Sequence, residues 1–324
     1  MINLGIDIGF GFVKATNGQK QVIFPSVVGE GRNIRYSTGI NDTNIIDNLT
    51  LQLKGNDYFV GSLANRQSDI VMSTLSQNRV NSIENEILLC TALGLLDPPT
   101  EVNIVTGLPV NEYSDRFKVK LLETLRGYHQ FSLNGSSNDI KVNNCKVIPQ
   151  PFGTIFDQLL DGQGKILNPD YANITLGIID IGFRTSDFAV ADNLEYVDKM
   201  SSSSNIALSS AFKLIARELN AEYGITKPLY QLDQAIRKEQ ITINGREIDL
   251  SPLKEKAFQL TAQNIISEVS TLWNIWEIET ILIAGGGGIA LYDYLPDQLD
   301  NIMLVRAGQF SNVQGYLKMA NRNW

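Results

Sequence analysis

The sequence Ile-Asp-Ile-Gly-Phe occupies residues 6–10 and recurs, residue for residue, at residues 179–183. Each copy follows an apolar run and precedes a stretch of alternating residues, at 12–15 in the first half and 188–191 in the second. A turn dipeptide comes next, Asn17-Gly18 in the first copy and Asp192-Asn193 in the second. Asn-Gly is among the strongest short signals for a β-hairpin. The repeat therefore predicts strand, tight Asp-x-Gly turn, strand, turn and strand, used once in each half of the chain.

The two Asp-x-Gly turns have a composition that suits phosphate binding. A glycine after the aspartate lets the backbone turn sharply and approach a ligand closely, and successive N–H groups in such turns bind anions. The first turn adds Gly11 and Lys14, and Asp7 and Asp180 supply oxygen ligands of the kind that hydrated Mg²⁺ prefers. One such turn alone is typical of an ordinary tight turn. Its repetition favours two turns that face one phosphate chain and its metal.

Two further segments are candidates for the same site. Four glycines, at residues 285–288, directly follow the apolar run 280–284. A flexible glycine loop is one interpretation; the other is a bare backbone that lies against a bulky ligand, with the dipole of a following helix favouring phosphate. Gln150 stands between Pro149 and Pro151, where it either belongs to a rigid turn or orients an attacking water, as polar groups do in nucleotide hydrolases. The first turn is not the dinucleotide-binding fingerprint G-x-G-x-x-G, because Lys14 occupies the position of its third glycine. The sequence also contains no G-x-x-x-x-G-K-[ST] segment, which excludes a P-loop.

Charge and composition restrict the function classes. The 27 Lys and Arg residues against 35 Asp and Glu residues give a net charge of −8, which argues against direct nucleic-acid binding because phosphate contacts need a basic face. Cys90, Cys145 and a single histidine, His129, are too few and too scattered for a metal cluster. No apolar run approaches the roughly 20 residues of a membrane span, and the first strand begins too early for a signal peptide. We expect a soluble, cytoplasmic protein with reduced cysteines.

Hydrophobic periodicity and breaker residues predict the remaining elements. The predicted helices are 82–96, 113–125, 151–160, 206–223, 253–276 and 313–319, and the predicted strands outside the hairpins are 49–53, 57–60, 102–106, 131–133, 142–149 and 280–284. Residues 29–70 are rich in Asn, Asp, Ser and Gly and are expected to form a small peripheral insertion. Strand triplets that alternate with long helices predict an α/β protein with two similar halves.

These motifs, taken in order, resemble the superfamily of actin, heat-shock chaperones and sugar kinases, and within it the ParM/StbA family of bacterial and plasmid actin-like proteins. The matching segments are 7–14, 149–154, 179–187, 285–288 and 310–316, so the resemblance spans almost the whole chain. It implies an actin-like fold of two similar α/β domains, each with a mixed five-stranded sheet flanked by helices, and a nucleotide in the cleft between them. The implied domains are 1–155, with a subdomain at 29–70 and helix 311–324 packing back on it, and 156–310.

The resemblance also implies the ligands and the residues that bind them. Asp7 and Asp180 would position Mg²⁺ and its waters, and Gln150 would orient the attacking water. The phosphate and adenosine contacts would come from Gly9, Phe10, Gly11, Phe12 and Lys14 in the first turn, from Gly182, Phe183, Arg184 and Thr185 in the second, and from Gly285, Gly286, Gly287 and Gly288. Lys213 or Arg217 would meet the base or ribose, and the sequence does not choose between them. Phe183-Arg184 in place of Gly-Thr, and the serine run 201–204 in place of a Gly-rich connection, depart from relatives.

The implied function is an Mg²⁺-dependent ATPase, or GTPase, that assembles head to tail into filaments and weakens them by hydrolysis. Family members of this kind move plasmids through a separate DNA-binding adaptor, with no direct nucleic-acid or membrane contact. Two alternatives stay open. A small-molecule kinase of the same superfamily would need an aspartate base and large insertions, for which the chain has little room, and a non-polymerising nucleotide-binding scaffold would bind nucleotide without turnover.

Overall fold

The computed structural model describes residues 1–34, 44–73, 82–295, 301–306 and 308–324. The chain divides into two compact units. The first unit is discontinuous and comprises Met1–Pro169 together with Phe310–Trp324. The second unit, Asp170–Gln309, is a single continuous segment. Within the described residues, no helix combines the length and the apolar character that crossing a membrane requires.

The elements of the first unit include both the predicted hairpin and the predicted helices. Its strands are β1 (Ile2–Ile8), β2 (Phe12–Thr16), β3 (Gln21–Pro25), β4 (Val27–Glu30), β5 (Leu49–Leu53), β6 (Asn56–Val60), β7 (Val71–Ser73), β8 (Glu101–Leu108), β9 (Gly127–Leu133) and β10 (Ser136–Pro149). Its helices are α1 (Ser62–Gln67), α2 (Ile83–Leu96), α3 (Asp115–Leu125), α4 (Phe152–Leu159) and the last helix, α9 (Ser311–Asn323).

The second unit repeats the strand–turn–strand pattern and adds longer helices. Its strands are β11 (Thr175–Ile181), β12 (Ser186–Asp192), β13 (Glu195–Tyr196), β14 (Ser202–Ser204), β15 (Gln240–Ile243), β16 (Arg246–Asp249), β17 (Thr280–Ala284) and β18 (Ile302–Leu304). Its helices are α5 (Leu208–Tyr223), α6 (Leu229–Lys238), α7 (Ser251–Leu272) and α8 (Gly285–Leu291). The β15–β16 hairpin and α6 are not among the predicted elements.

The same five-strand arrangement stands at the centre of both units. In the first the order is β3-β2-β1-β8-β10, and in the second it is β13-β12-β11-β17-β18. In each order the first three strands pair antiparallel with one another, and the third, fourth and fifth strands pair parallel. Parallel strands buried on both faces read as continuous apolar runs, which explains the runs that precede each Asp-x-Gly turn. The mixed sheets and flanking helices of an actin-like fold are confirmed.

The first sheet continues beyond these five strands. Strands β9, β5, β6, β4 and β7 extend it to ten strands. Segment 29–70 supplies β5, β6 and the last two residues of β4, and the alternating leucines Leu49, Leu51 and Leu53 are buried in the same hydrophobic core as β1 and β8. This segment is therefore continuous with the sheet, which differs from the expected peripheral insertion. Residues 35–43, within the same expected insertion, lie outside the described part of the chain.

Helices cover the first sheet because small residues let them approach it. Helix α2 begins where the Ser82 hydroxyl accepts a hydrogen bond from the Asn85 N–H, and it packs on β1, β2, β3 and β9. Helix α9 packs on β1, β8 and α4. A β-carbon at Gly5 of β1 would lie 2.1 Å from the carbonyl oxygen of Val313, so α9 touches the bare backbone of β1 there.

Candidate functional site

Three of the predicted site residues of the first unit lie together, near the carboxyl ends of strands β1 and β10. Asp7, near the end of β1, pairs in register with Lys14 on β2, and the Lys14 Nζ is 3.9 Å from the Asp7 Oδ2. The Gln150 Nε2 donates a hydrogen bond of 3.1 Å to the Asp7 Oδ1. Asp7 is only 2% exposed, so its carboxylate is held inside the protein by these neighbours. Parallel strands present their carboxyl ends at one edge, where ligands bind in α/β sheets, and β1 and β10 bring Asp7 and Gln150 there.

The first turn is closed by its own glycine. The Gly9 N–H donates to the Phe12 carbonyl at 3.1 Å, so Gly9 uses its donor within the hairpin. Ser26, which follows β3 and is buried, braces the turn from outside: its hydroxyl donates to the Gly9 carbonyl at 2.6 Å, and its N–H donates to the Gly11 carbonyl at 3.0 Å. The sequence gives no signal for this role of Ser26, because a lone serine after a strand is common.

The second turn repeats the same closure. The Gly182 N–H donates to the Thr185 carbonyl at 2.9 Å, and Asp180, 7% exposed, pairs in register with Asp187 on β12. The Ser203 hydroxyl donates to the Asp187 carboxylate. Asp187 therefore braces the hairpin. The departure in the serine run is also explained, because Ser202–Ser204 is strand β14 and pairs with β12.

Phe183 and Arg184 have different positions in this turn. The Phe183 ring packs edge-on against Phe212, with centroids 5.4 Å apart, and the Phe183 carbonyl accepts the Ser209 N–H at 2.7 Å. Its side chain thus belongs to the core of the second unit. Arg184 is half-buried and stands where the first turn has Gly11. Desolvation by burial lowers the pKa of the Arg184 guanidinium, and among the residues that the structure describes no carboxylate forms an ion pair with it.

The four glycines are the first turn of helix α8, so the interpretation of this segment as a flexible loop is wrong, and the interpretation as bare backbone beside a ligand stays a prediction. Gly285 has a φ of +82°, and a β-carbon there would lie 2.2 Å from the Ile181 carbonyl oxygen and 2.5 Å from the Asp180 Oδ1. A β-carbon at Gly287 would lie 2.7 Å from the Gly182 carbonyl oxygen. The helix therefore packs its bare backbone directly on the second turn and beside the Asp180 carboxylate.

The chain is similar to known protein families and solved structures. The family profile for the N-terminal domain of actin-like proteins matches residues 5–153, and that for the C-terminal domain of the MreB-like archaeal actin homologue matches residues 178–297. A non-polymerisable quadruple mutant of pCBH ParM is 30% identical over 98% of each chain, with a TM-score of 0.77. The chain belongs to the ParM-like family of actin-like proteins.

Other ParM structures share the fold over the full length. A 15-stranded ParM filament from Clostridium botulinum is 29% identical, with a TM-score of 0.82 and 100% of both chains covered. Bacillus thuringiensis ParM with ATP is 17% identical, with a TM-score of 0.74 and coverage of 99% of this chain and 98% of that one. None of the curated proteins matches the chain significantly.

The two candidates for base or ribose contact in this ParM-like protein both lie on α5. Lys213 and Arg217 are exposed, one helical turn apart, and Arg217 pairs with its neighbour Glu218 at 3.4 Å. The Arg217–Glu218 pair says nothing about nucleotide contact, so the choice between Lys213 and Arg217 stays open. Exposed pairs of this kind contribute little to stability.

The candidate metal ligands of the ParM-like protein, Asp7 and Asp180, lie one at each turn. Within the described ranges, no group of three or more His, Cys, Asp or Glu side chains is close enough to hold a metal ion by itself. Mg²⁺ keeps several waters and binds through one or two carboxylates plus substrate phosphates. Asp7 and Asp180, which occupy the same position in the two turns and are both buried, fit that type of coordination, whereas the buried carboxylate of Asp187 accepts the hydrogen bond of Ser203.

The cysteines of this protein are structural. Cys90 and Cys145 are both free and buried. Burial, with a smaller effect of Glu86, raises the pKa of Cys90 to about 12, and burial raises the pKa of Cys145 to about 12. Since the thiolate is the reactive form, neither thiol is activated as a nucleophile or metal ligand.

Proposed function

We propose that this ParM-like protein is an ATPase that assembles into filaments. The observation that carries the proposal is the duplicated turn, in which each copy combines a closing glycine with a buried carboxylate at the same position, Asp7 or Asp180. The first copy adds Lys14 and Gln150, and the second adds Arg184 and the bare backbone of α8. The relatives support it, because one was solved with ATP and another as a filament.

In the proposed reaction each residue has a separate task. Asp7 and Asp180 would hold Mg²⁺ through its waters, and the ion, when bound, would supply positive charge to the nucleotide phosphates. Lys14 and Arg184 add positive charge next to the same phosphates. The Gln150 amide, already held at 3.1 Å from the Asp7 carboxylate, orients the attacking water, which catalyses hydrolysis by positioning.

The proposed nucleotide contacts follow from the packing. Gly11 and the residues after Gly182 present backbone to the phosphates, whereas Gly9 and Gly182 close the turns with their own N–H groups. Gly286 has room on its open side, with the Gln309 side chain 3.8 Å from the position of a β-carbon. We propose that the adenosine and α-phosphate lie over this bare backbone. The choice of ATP over GTP rests on the ATP-bound relative.

The proposed cellular role is DNA segregation in the cytoplasm. A head-to-tail contact between identical subunits does not close on itself and therefore produces a filament. Hydrolysis then weakens the lattice and makes the filament dynamic. With a net charge of −8, the protein would engage plasmid DNA through a DNA-binding adaptor.

The test follows light scattering and phosphate release in one sample, after ATP is added to the full chain with Mg²⁺. We expect scattering to rise and then decay as phosphate appears. Asp180→Asn should abolish phosphate release, because it removes a charged metal ligand at constant size. Asp192→Asn, an exposed change on the same hairpin, is the matched control and should behave like the parent.

Other outcomes separate the alternatives. Phosphate release with flat scattering would exclude the filament function and direct attention to phosphoryl acceptors. Tight nucleotide binding with neither signal would identify a non-polymerising scaffold. Unchanged turnover in the Asp180→Asn protein would remove Asp180 from the metal site.

A further inference from the structure

Tyr316 connects the C-terminal helix to Gln150. It lies on α9, is 0% exposed, and its hydroxyl donates a hydrogen bond of 3.1 Å to the carbonyl oxygen of Gln150. Gln150 itself belongs to the short connection between β10 and α4, more than 160 residues earlier in the chain. A residue of the last helix therefore contacts the main chain of the residue that we propose orients the attacking water.

Two glycines make room for this contact. A β-carbon at Gly107, in β8, would lie 2.0 Å from the Tyr316 hydroxyl oxygen and 2.9 Å from the Gln150 Cα. A β-carbon at Gly153, in α4, would lie 2.6 Å from the Tyr316 Cε1. Side chains at either position would displace the ring or the Gln150 backbone, so β8 and α4 both leave space for the phenol.

The Gln150 main chain is held from three directions. Its N–H donates to the Leu108 carbonyl at 2.8 Å, and its carbonyl accepts both the Gly153 N–H at 3.1 Å and the Tyr316 hydroxyl. Bonds to both peptide groups fix where the side chain starts, and the Gln150 Nε2 then reaches the Asp7 carboxylate. Of the three bonds, only that of Tyr316 comes from a side chain, so it can be removed without changing the backbone.

We propose that Tyr316 is a positioning residue for hydrolysis, which acts by holding the Gln150 peptide so that the amide points at the attacking water. The proposal rests on the proposed function, since it needs Gln150 to orient that water. A misplacement of about 1 Å costs roughly 100-fold in rate. Tyr316→Phe leaves the Gly153 bond in place, so we expect a smaller fall in kcat, about threefold to tenfold, with KM and the Kd for ATP unchanged.

The experiment is a double-mutant cycle on the full chain. Phosphate release and scattering are recorded together for the parent, Tyr316→Phe, Gln150→Ala and the double variant, so that rates are compared at equal filament mass. Ser311→Ala is the matched control, because it removes another buried hydroxyl between α9 and α4, which lies 2.8 Å from the Thr154 Oγ1. We expect Ser311→Ala to melt at a lower temperature and keep the parental kcat.

The cycle distinguishes the outcomes. If Tyr316 acts through Gln150, its substitution slows the parent but leaves the Gln150→Ala protein unchanged, because coupled residues are non-additive. An equal slowing in both backgrounds, or a similar slowing by Ser311→Ala, would overturn the positioning role in favour of general stability. If Gln150→Ala hydrolyses ATP slowly and Tyr316→Phe hydrolyses it at the parental rate, the positioning role of Tyr316 is overturned and the proposed role of Gln150 is kept. Unchanged turnover in Gln150→Ala would overturn both the positioning role and the proposed role of Gln150.

Discussion

At the scale of single residues, the two turns carry their positive charge in different places. In the first, Lys14 lies on the strand directly opposite Asp7. In the second, the equivalent strand position is Asp187, opposite Asp180, and the cation is Arg184 at the tip of the turn, where the first turn has Gly11. Each turn thus has one buried carboxylate that we assign to the metal and one cation, although the repeat does not conserve the position of the cation.

Arg184 should contribute to binding at the expense of stability. It is half-buried, and burial lowers the pKa of its guanidinium. Burying a charge without a partner destabilises a fold. Arg184→Gln should therefore leave the melting temperature equal or higher, while ATP affinity falls roughly 10-fold or more, as expected for a charged hydrogen bond to phosphate worth about 1.5–3 kcal/mol.

The measurements are thermal melting without nucleotide and titration with a fluorescent ATP analogue. Arg246→Gln, an exposed change on the β15–β16 hairpin, is the control and should alter neither. Arg184→Lys should recover part of the affinity, because a lysine keeps the charge but not the guanidinium geometry. Parental affinity in Arg184→Gln would exclude Arg184 from the phosphate contacts.

At the scale of elements, the strands and turns could be predicted and the glycine helix could not. The Asp-x-Gly hairpins were predictable because turn residues and alternation are local signals. Glycine has a lower helix propensity than every residue except proline, and four glycines occur here in a row. Gly285–Leu291 is nevertheless a helix, because Gly285 and Gly287 pack on the backbone of the second turn. Helix α6 had a readable pattern, with Leu229, Leu232 and Ile236 at helical spacing after Pro228.

The same helix offers a matched pair of glycine substitutions. Gly285→Ala should destabilise the protein strongly, because φ is +82° and the β-carbon would meet the Ile181 carbonyl at 2.2 Å. The left-handed conformation alone costs about 1–2 kcal/mol. Gly286→Ala has only ordinary contacts, at 3.8 Å or more, within a helix. It should be neutral or stabilising by about 0.5–1 kcal/mol.

The melting temperatures of the two variants are compared by circular dichroism, and their affinities for ATP are compared by nucleotide titration. If the bare backbone at Gly286 lies beneath the nucleotide, Gly286→Ala should bind ATP more weakly although it melts normally. Equal melting temperatures for the two variants would show that Gly285 is not required by the packing on Ile181.

At the scale of the whole molecule, the first unit is completed by the last helix of the chain. A chain of asparagine side chains holds the C-terminal end of α9. Asn144 donates a hydrogen bond to Asn103 at 3.0 Å, Asn103 donates to Asn3 at 2.8 Å, and Asn3 donates to Asn321 of α9 at 2.9 Å. The first three are in register across β10, β8 and β1. Contacts of α9 join residues that are far apart in sequence, and the Tyr316 hydroxyl bonds to a backbone carbonyl, which every residue carries. The contact of Tyr316 with Gln150 could therefore not be predicted from the sequence, whereas local motifs single out Asp7 and Gln150 as candidates for the site.

Net charge makes a final prediction about partners. At −8, the protein repels the phosphate backbone, and counterion release, which supplies non-specific DNA affinity, needs clustered Lys and Arg. We expect no shift of a labelled DNA duplex at micromolar protein and about 50 mM salt, with or without ATP, under conditions where scattering shows filaments. A basic DNA-binding protein on the same duplex verifies the assay. Binding that weakens steeply with salt would demonstrate direct phosphate contacts, and would remove the need for an adaptor between filament and DNA.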